Sequence, residues 1–424
     1  RRKHFLSPAI KLNQKYTVKP IAAKDIVMIE DVGTVGCGFI CEHFLEHLLD
    51  NNTNARRTVA IQIRIFVPEL GVFKGVLVRK RGIIGAPIQL NESLRKVGPS
   101  RSDEASDHGY IVVKNKFPST DNFEVGRLFH CLHCKNKPLT KSFKDRVKKG
   151  KSCKLSSMYK RVLLSLGVNT ETIIQYQKQY EKAPESWLRH THVVGVADPT
   201  SKLPPNTVFL TGTMTSDFEL DQLIVSRSPC MEAEDLRLLS VVRTKPDGMS
   251  DDDWEWITSL AFGAIIFGNP RPGERPLPEL VADGDLDGDL YFVCWDETIL
   301  SQIQPVPITG EQLIAEPSAA EEKATVRECN PGWCDEAQAY ISRVPTLHAN
   351  TGELVGRLYK ASERLDVRDV DAVSFARAYK HALDSKKHGG NIFLPRNLWD
   401  RVDDKTKKPF IPEHLHQYLT PASL

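Results

Sequence analysis

Apolar and polar positions along the chain fall into stretches of different texture. Between residues 55 and 80, the β-branched run Thr58-Val-Ala-Ile-Gln-Ile-Arg-Ile-Phe-Val67 predicts a β unit, with Gly71 and Gly75 punctuating the turn to Val76-Leu-Val78. A glycine-rich loop, Gly33-Thr-Val-Gly-Cys-Gly38, precedes it, and a helix is expected from Cys41 to Leu49. Helical spacing returns from Met158 to Lys182, where Val162, Leu163, Leu166, Ile173, Ile174 and Tyr176 are the apolar positions. From His192 to Trp295 the apolar runs are short and set off by Pro and Gly: Val193–Val196, Thr207–Leu210, Gln222–Val225, Leu239–Val242, Ala264–Phe267 and Leu290–Val293. Such closely spaced short strands predict a compact barrel. After Pro305 the pattern is helical again, clearest over Ala372–Leu383, and no solenoid period is present. The predicted architecture is α+β: two β units bracketing a helical, basic connector, then a helical C-terminal region.

Composition changes this picture little. With 424 residues, 41% hydrophobic and 26% charged, the chain reads as a soluble globular protein of two or three domains. Its net charge of +3 argues neither for nor against a nucleic-acid partner. No apolar run approaches the ~20 residues of a membrane span, and no apolar segment behind Arg1-Arg-Lys-His4 makes a signal peptide. The absence of an initiator Met suggests a fragment of a longer polypeptide, and nine scattered cysteines fit a reduced, intracellular setting. Charge distribution is more telling than the total. Eleven Lys or Arg residues against the single acid Asp145 between Lys135 and Arg161 read either as a solvated loop or as a phosphate-tracking surface. Cys131-Leu-His-Cys134, with His130 and Cys153, lacks a second ligand pair, so zinc is not expected; Cys329 and Cys334 carry no assignment.

The sharpest chemical signal is Asp283-Gly-Asp-Leu-Asp-Gly-Asp-Leu-Tyr-Phe-Val293, with four carboxylates at alternate positions. Like charges so close cannot be packed dry without a cation between them. An EF-hand loop would need Glu where Cys294 stands, and an entering helix where Pro270, Pro272, Pro276 and Pro278 stand. A merely exposed acidic turn sits poorly beside the apolar Tyr291-Phe-Val-Cys-Trp295, which should pin the loop to a packed barrel. The remaining reading is a rigid carboxylate loop for Mg²⁺ chemistry on phosphates.

Asp285-Leu-Asp-Gly-Asp289 followed by Leu-Tyr-Phe-Val-Cys-Trp-Asp296 resembles the metal-binding signature of the cell-encoded RNA-dependent RNA polymerases of eukaryotic RNA silencing. Ile224-Val-Ser-Arg-Ser-Pro-Cys230 with Asp235-Leu-Arg237, Gly195-Val-Ala-Asp-Pro199, Ala60-Ile-Gln-Ile-Arg64 with Lys74-Gly-Val-Leu77, the Arg161–Val168 stretch, and Ala382-Leu-Asp384 with Lys387 and Gly389 resemble further segments of that family, in order. Departures mark a divergent member: Ala282-Asp-Gly284 for Ser-Gly-Gly, Leu277 for His, Ser228 for Asn and His388 for Thr.

The resemblance implies two double-psi β-barrels joined by a helical connector. It divides the chain into an N-terminal segment with the glycine-rich loop (1–50), a first barrel (51–120), the basic and helical connector (121–190), a second barrel with the Asp loop (191–300) and a mostly helical region (301–424). It implies copying of single-stranded RNA from nucleoside triphosphates, in the cytoplasm or nucleus, with small-RNA pathway proteins as candidate partners. Asp285, Asp287 and Asp289 would hold Mg²⁺, two ions in all and replaceable by Mn²⁺, with Asp283 in support or simply solvated. Lys74 and Arg227 come first as phosphate-binding cations, ahead of Arg64, Arg275 and Lys387. Gly36 and Gly38 form either a plain turn or a loop close to the template. A single-chain DNA-dependent RNA polymerase of the same fold, or a catalytically silent RNA-binding scaffold, stays open at this level.

Overall fold

A computed structural model describes residues 16–31, 33, 35–50, 53–99, 109–114, 190–213, 221–295, 300, 308–313, 351–362, 364–365, 369–388 and 396–402. The connector, the basic stretch from Lys135 to Arg161, the helix expected over Met158–Lys182 and the cysteines Cys131, Cys134, Cys153, Cys329 and Cys334 lie outside the described residues.

The first unit is an eight-stranded mixed sheet. Its strands are β1 (Tyr16–Ile21), β2 (Ile26–Met28), β3 (Cys37–Cys41), β4 (Ala60–Val67), β5 (Gly71–Lys80), β6 (Ile88–Leu90), β7 (Arg95–Val97) and β8 (Gly109–Lys114), with helices α1 (Glu42–Leu48) and α2 (Thr53–Arg57) between β3 and β4. The order is β1-β8-β4-β5-β3-β6-β2, and β7 pairs with β5. Strands β1 to β3 precede residue 51 yet pair within this sheet, so the described part of the N-terminal segment belongs to the first unit. In β4 the alternation is clean: Ile61, Ile63, Ile65 and Val67 are buried, while Gln62, Arg64 and Phe66 point to the other face.

The second unit is a closed barrel ordered β10-β12-β11-β14-β9-β13. It comprises β9 (His190–Ala197), β10 (Thr207–Leu210), β11 (Gln222–Arg227), β12 (Leu236–Val241), β13 (Ala264–Phe267) and β14 (Leu290–Cys294), with α3 (Asp251–Ser259) before β13. Here strands read as unbroken apolar runs, because both faces are covered; all four residues of β13 are buried. Gly195 makes room for the Tyr291 ring, which stands edge-on to Phe267 at 4.9 Å.

The two units share one core. Cys37, Phe39, Val59, Ala60, Val76 and Val78 of the first pack in the same cluster as Val194, Val225, Leu286 and Val293 of the second. Full burial of each such Val or Leu contributes about 1.5–3 kcal/mol, so this seam is a major cohesive element. A separate apolar cluster joins α4 (Thr351–Ser362), α5 (Val370–His388) and α6 (Arg396–Val402) around Leu358, Phe375 and Leu398. Among the described residues no helix is long and apolar enough to cross a membrane.

Candidate metal and phosphate centre

The acidic loop is built by backbone constraints before any carboxylate is placed. Pro276 opens a 3₁₀ turn over Leu277–Leu280, and Gly284 N–H donates to the carbonyls of Pro278 (3.1 Å) and Val281 (3.2 Å). Ala282 and Asp283 both adopt left-handed backbone, with φ of 54° and 50°. Leu286 is buried and acts as a plug, its N–H donating to the Val35 carbonyl at 2.8 Å. Tyr291 Oη donates to the Asp285 carbonyl at 2.9 Å, and Gly195 N–H donates to the Asp289 carbonyl at 3.2 Å. With Leu286 turned inward, the carboxylates at 285, 287 and 289 share the opposite side. One oxygen from each lies within 4.8 Å of the others.

Two cations reach this cluster from different units. Lys74 Nζ of β5 pairs with Asp287 Oδ2, and Arg227 Nε of β11 stands 2.5 Å from Asp289 Oδ2. Arg227 Nη1 also donates to the Ala282 carbonyl at 3.1 Å. Burial works against the Arg227 charge, but Asp289, then Tyr291 and Asp285, outweigh it and hold its pKa above the ordinary arginine value. Asp285 has no such cation among the described residues; its Oδ1 accepts from Asp287 N–H at 3.2 Å. Burial first, then the charges of Asp289 and Asp287, push its carboxyl up to about 7. Three converging carboxylates with one left uncompensated suit a hard divalent cation. Octahedral Mg²⁺ with bonds of about 2.1 Å spans roughly 4.2 Å between opposite oxygens, which the 4.8 Å bound on the three carboxylate oxygens can accommodate.

The first sheet presents a polar face to this cluster. Gln62 Nε2 donates to the Asp287 carbonyl at 3.3 Å, while Gln62 Oε1 accepts from Lys114 Nζ at 3.1 Å. Arg64 lies opposite Lys74 in the β4–β5 register and so shares that face. Gly36, at φ 91°, admits the loop: a Cβ there would lie 2.8 Å from Asp287 Cβ. At Gly38 the missing side chain makes room for the Gln89 carbonyl.

Other expected residues are placed elsewhere. Arg275 Nε pairs with Glu279 at 3.4 Å rather than with the triad. Lys387 falls within α5, but its side chain lies outside the described residues. Asp283 pairs with Lys380 Nζ at 3.0 Å. Sequence reading named Tyr291 only within the run expected to pin the loop and Gln62 only within a resembling segment, and gave neither them nor Lys380 a site role. Gln62 could have been found, because it alternates with Ile61 and Ile63 on the face that carries Arg64. Lys380 carries no local signal, since its partners are Glu232, Asp235 and Asp283, each about a hundred residues or more away.

A family model described as RNA dependent RNA polymerase matches residues 188–415. The chain is 26% identical over 186 residues to "Probable RNA-dependent RNA polymerase 2" of Oryza sativa subsp. japonica, covering 42% of this chain and 14% of that protein. It is 28% identical over 189 residues to "RNA-dependent RNA polymerase 2" of Arabidopsis thaliana, covering 43% and 14%. Over 149 residues it is 29% identical to "RNA-dependent RNA polymerase 1" of Schizosaccharomyces pombe, covering 30% and 11%. The chain thus spans a minor part of the length of these relatives. Among solved structures, "RNA dependent RNA polymerase QDE-1 from Thielavia terrestris" superposes with a TM-score of 0.61 at 14% identity, over 94% of this chain and 50% of that one.

Proposed function

The chain belongs to the RNA-dependent RNA polymerase family, and on that premise we propose that it carries the nucleotidyl-transfer centre of an enzyme copying single-stranded RNA from nucleoside triphosphates. The observation that carries this reading is the convergence of Asp285, Asp287 and Asp289 within 4.8 Å, flanked by Lys74 from one unit and Arg227 from the other.

Asp285, Asp287 and Asp289 would hold Mg²⁺, two ions with the second arriving with the nucleotide, and Mn²⁺ could replace them. Bound there, the metal would activate the RNA 3′-hydroxyl and stabilise the charge of the departing pyrophosphate. The chain's own residues set up that arrangement. Leu286 and the Tyr291 hydroxyl fix the loop backbone, so the carboxylates need little reorganisation on binding a cation. Lys74 and Arg227, which neutralise two carboxylates without metal, would turn to the triphosphate once the cation takes over that charge. Arg227 can grip phosphate in a planar fork, and Lys74 as a point charge. Arg64 shares the Lys74 face and would extend this basic surface; Arg275 and Lys387 are kept in the proposal as further phosphate-binding candidates from the family resemblance. Gly36 lies against Asp287 and Gly38 against the Gln89 carbonyl, so the template-proximal role proposed for this loop would rest on close backbone packing that seats the carboxylate loop.

We assign double-psi connectivity to both units, supported by the mixture of pairings in each: β3–β5 and β2–β6 are parallel beside antiparallel β4–β5 and β3–β6, and β10–β12 and β9–β13 are parallel beside antiparallel β11–β12 and β10–β13. The boundaries 51–120, 121–190, 191–300 and 301–424 are kept as working domains, residues 1–50 contributing strands to the first. The place of the activity in RNA silencing, with small-RNA pathway partners, follows from the family and is part of the same proposal. The test is incorporation of labelled ribonucleotides on matched RNA and DNA templates, with Mg²⁺ supplied or withheld. Expected is RNA-templated, Mg²⁺-dependent synthesis that Asp287→Ala lowers by at least about a hundredfold; wild-type incorporation by that variant would overturn the assignment.

A further inference from the structure

We infer that Lys380 is a positioning residue for the metal site: from the C-terminal helical unit it pins the turn that enters the carboxylate loop, so metal-competent geometry depends on the docking of that unit. The inference rests on the proposed metal-binding role of the three aspartates.

Lys380 lies on α5, and its ammonium meets three carboxylates: Asp235 Oδ1 at 2.7 Å, Glu232 Oε2 at 2.9 Å and Asp283 Oδ2 at 3.0 Å. Its side chain is only 19% exposed. Burial alone would lower its pKa, but Asp235, Asp283 and Glu232 outweigh that and keep it above the ordinary lysine value, so it stays charged.

The three partners are not equivalent. Asp235 is a fixed post, since its Oδ2 also accepts from Met231 N–H (2.7 Å) and Glu232 N–H (2.9 Å). Glu232 is held in the same connection between β11 and β12. Asp283, in contrast, is 61% exposed, and together with Ala282 it occupies left-handed backbone that non-glycine residues disfavour. Such a conformation persists only where its surroundings over-determine it. Beside the turn bonds of Gly284 N–H, two side chains hold it: Arg227 through the Ala282 carbonyl and Lys380 through the Asp283 carboxylate. Two residues further on stands Asp285. Both side chains originate outside the loop, and the second comes from a helix that makes no other ion pair with the loop among the described residues.

The test is a double-mutant cycle of Lys380→Met and Asp283→Asn, read by Mn²⁺ titration with electron paramagnetic resonance in the absence of RNA and nucleotide. Thermal melting is followed in parallel. Lys380→Met is expected to weaken Mn²⁺ about tenfold, Asp283→Asn severalfold, and the double variant no more than Lys380→Met alone; Lys380→Arg should stay within about threefold of wild type. Equal weakening by Asp283→Asn in both backgrounds, or wild-type Mn²⁺ affinity in Lys380→Met, would overturn the inference. If Lys380→Met fails to fold, Asp283→Asn at unchanged melting temperature must still weaken Mn²⁺, and undiminished affinity there rejects the role. Failure of the metal reading looks different: wild type would bind no Mn²⁺, or Asp287→Ala would bind it unchanged.

Discussion

Among the described residues no cation pairs with Asp285, and this sets a pH signature. Its pKa is pushed from the ordinary 3.8 to about 7, by burial first and then by Asp289 and Asp287. Between those values the folded chain binds more of this proton than the unfolded chain, so folding stability falls as pH rises through the window. The contribution is at most about 1.4 kcal/mol per pH unit. In metal-free protein the melting temperature should therefore drop between pH 4 and 7 more steeply in wild type than in Asp285→Asn. Saturating Mg²⁺ should raise the melting temperature of wild type above pH 7, where the carboxylate is free to bind it, and raise that of Asp285→Asn less. An identical slope in the two proteins would show that Asp285 is not the group responsible. At this scale the triad was legible, because four aspartates beside a β run have no packing rationale. Lys74 and Arg227 were legible only by resemblance, and Lys380 not at all: an ion pair across 97 residues, Asp283 to Lys380, leaves no periodic trace.

Among the elements, the glycines separate backbone freedom from close approach. Gly36 and Gly82 both have positive φ, 91° and 70°. A Cβ on Gly36 meets Asp287, whereas one on Gly82 meets nothing within 4 Å. Alanine at either position should cost about 1 kcal/mol from the backbone alone. Only Gly36→Ala should also displace the loop and weaken Mn²⁺ binding, by tenfold or more; equal affinities in the two variants would reject the close-approach argument. The same logic explains which elements sequence revealed. Ala264–Phe267 and Leu290–Cys294 are buried on both faces and announce themselves as apolar runs. Strands β2, β6 and β7 have three residues each, too few to show alternation, and become strands through partners elsewhere in the chain. Helix α3 opens with Asp251-Asp-Asp253 and buries only Trp256 and Ile257, so its apolar stripe is too narrow to read.

At the level of the whole molecule, Arg79 ties the two units together. Its side chain, 6% exposed, donates to the carbonyls of Thr58 (2.9 Å) and Ala55 (2.6 Å) and pairs with Glu46 (3.1 Å) and Glu42 (3.4 Å). Glu42 in turn accepts from Trp256 Nε1 of the second unit at 2.9 Å. Arg79→Met strands two carboxylates and two carbonyls, and should cost about 3–5 kcal/mol. Trp256→Phe removes one hydrogen bond to a charged group, about 1.5–3 kcal/mol. Because the units share a core, both variants should melt in one transition by calorimetry and circular dichroism; separate melting of two units would contradict the common core. That shared seam could not be read from sequence, since the apolar residues on the two sides are indistinguishable from residues serving each unit alone.

The pairing of Lys74 with Asp287 spans 213 residues, and that of Lys380 with Asp283 spans nearly a hundred. During translation, then, the basic half of the centre leaves the ribosome long before the acidic half, and the clamp on the loop emerges last. On the proposed reading, a chain that stops between Arg227 and Asp285 would carry both cations without the aspartates, and should neither hold Mn²⁺ at this site nor incorporate nucleotides.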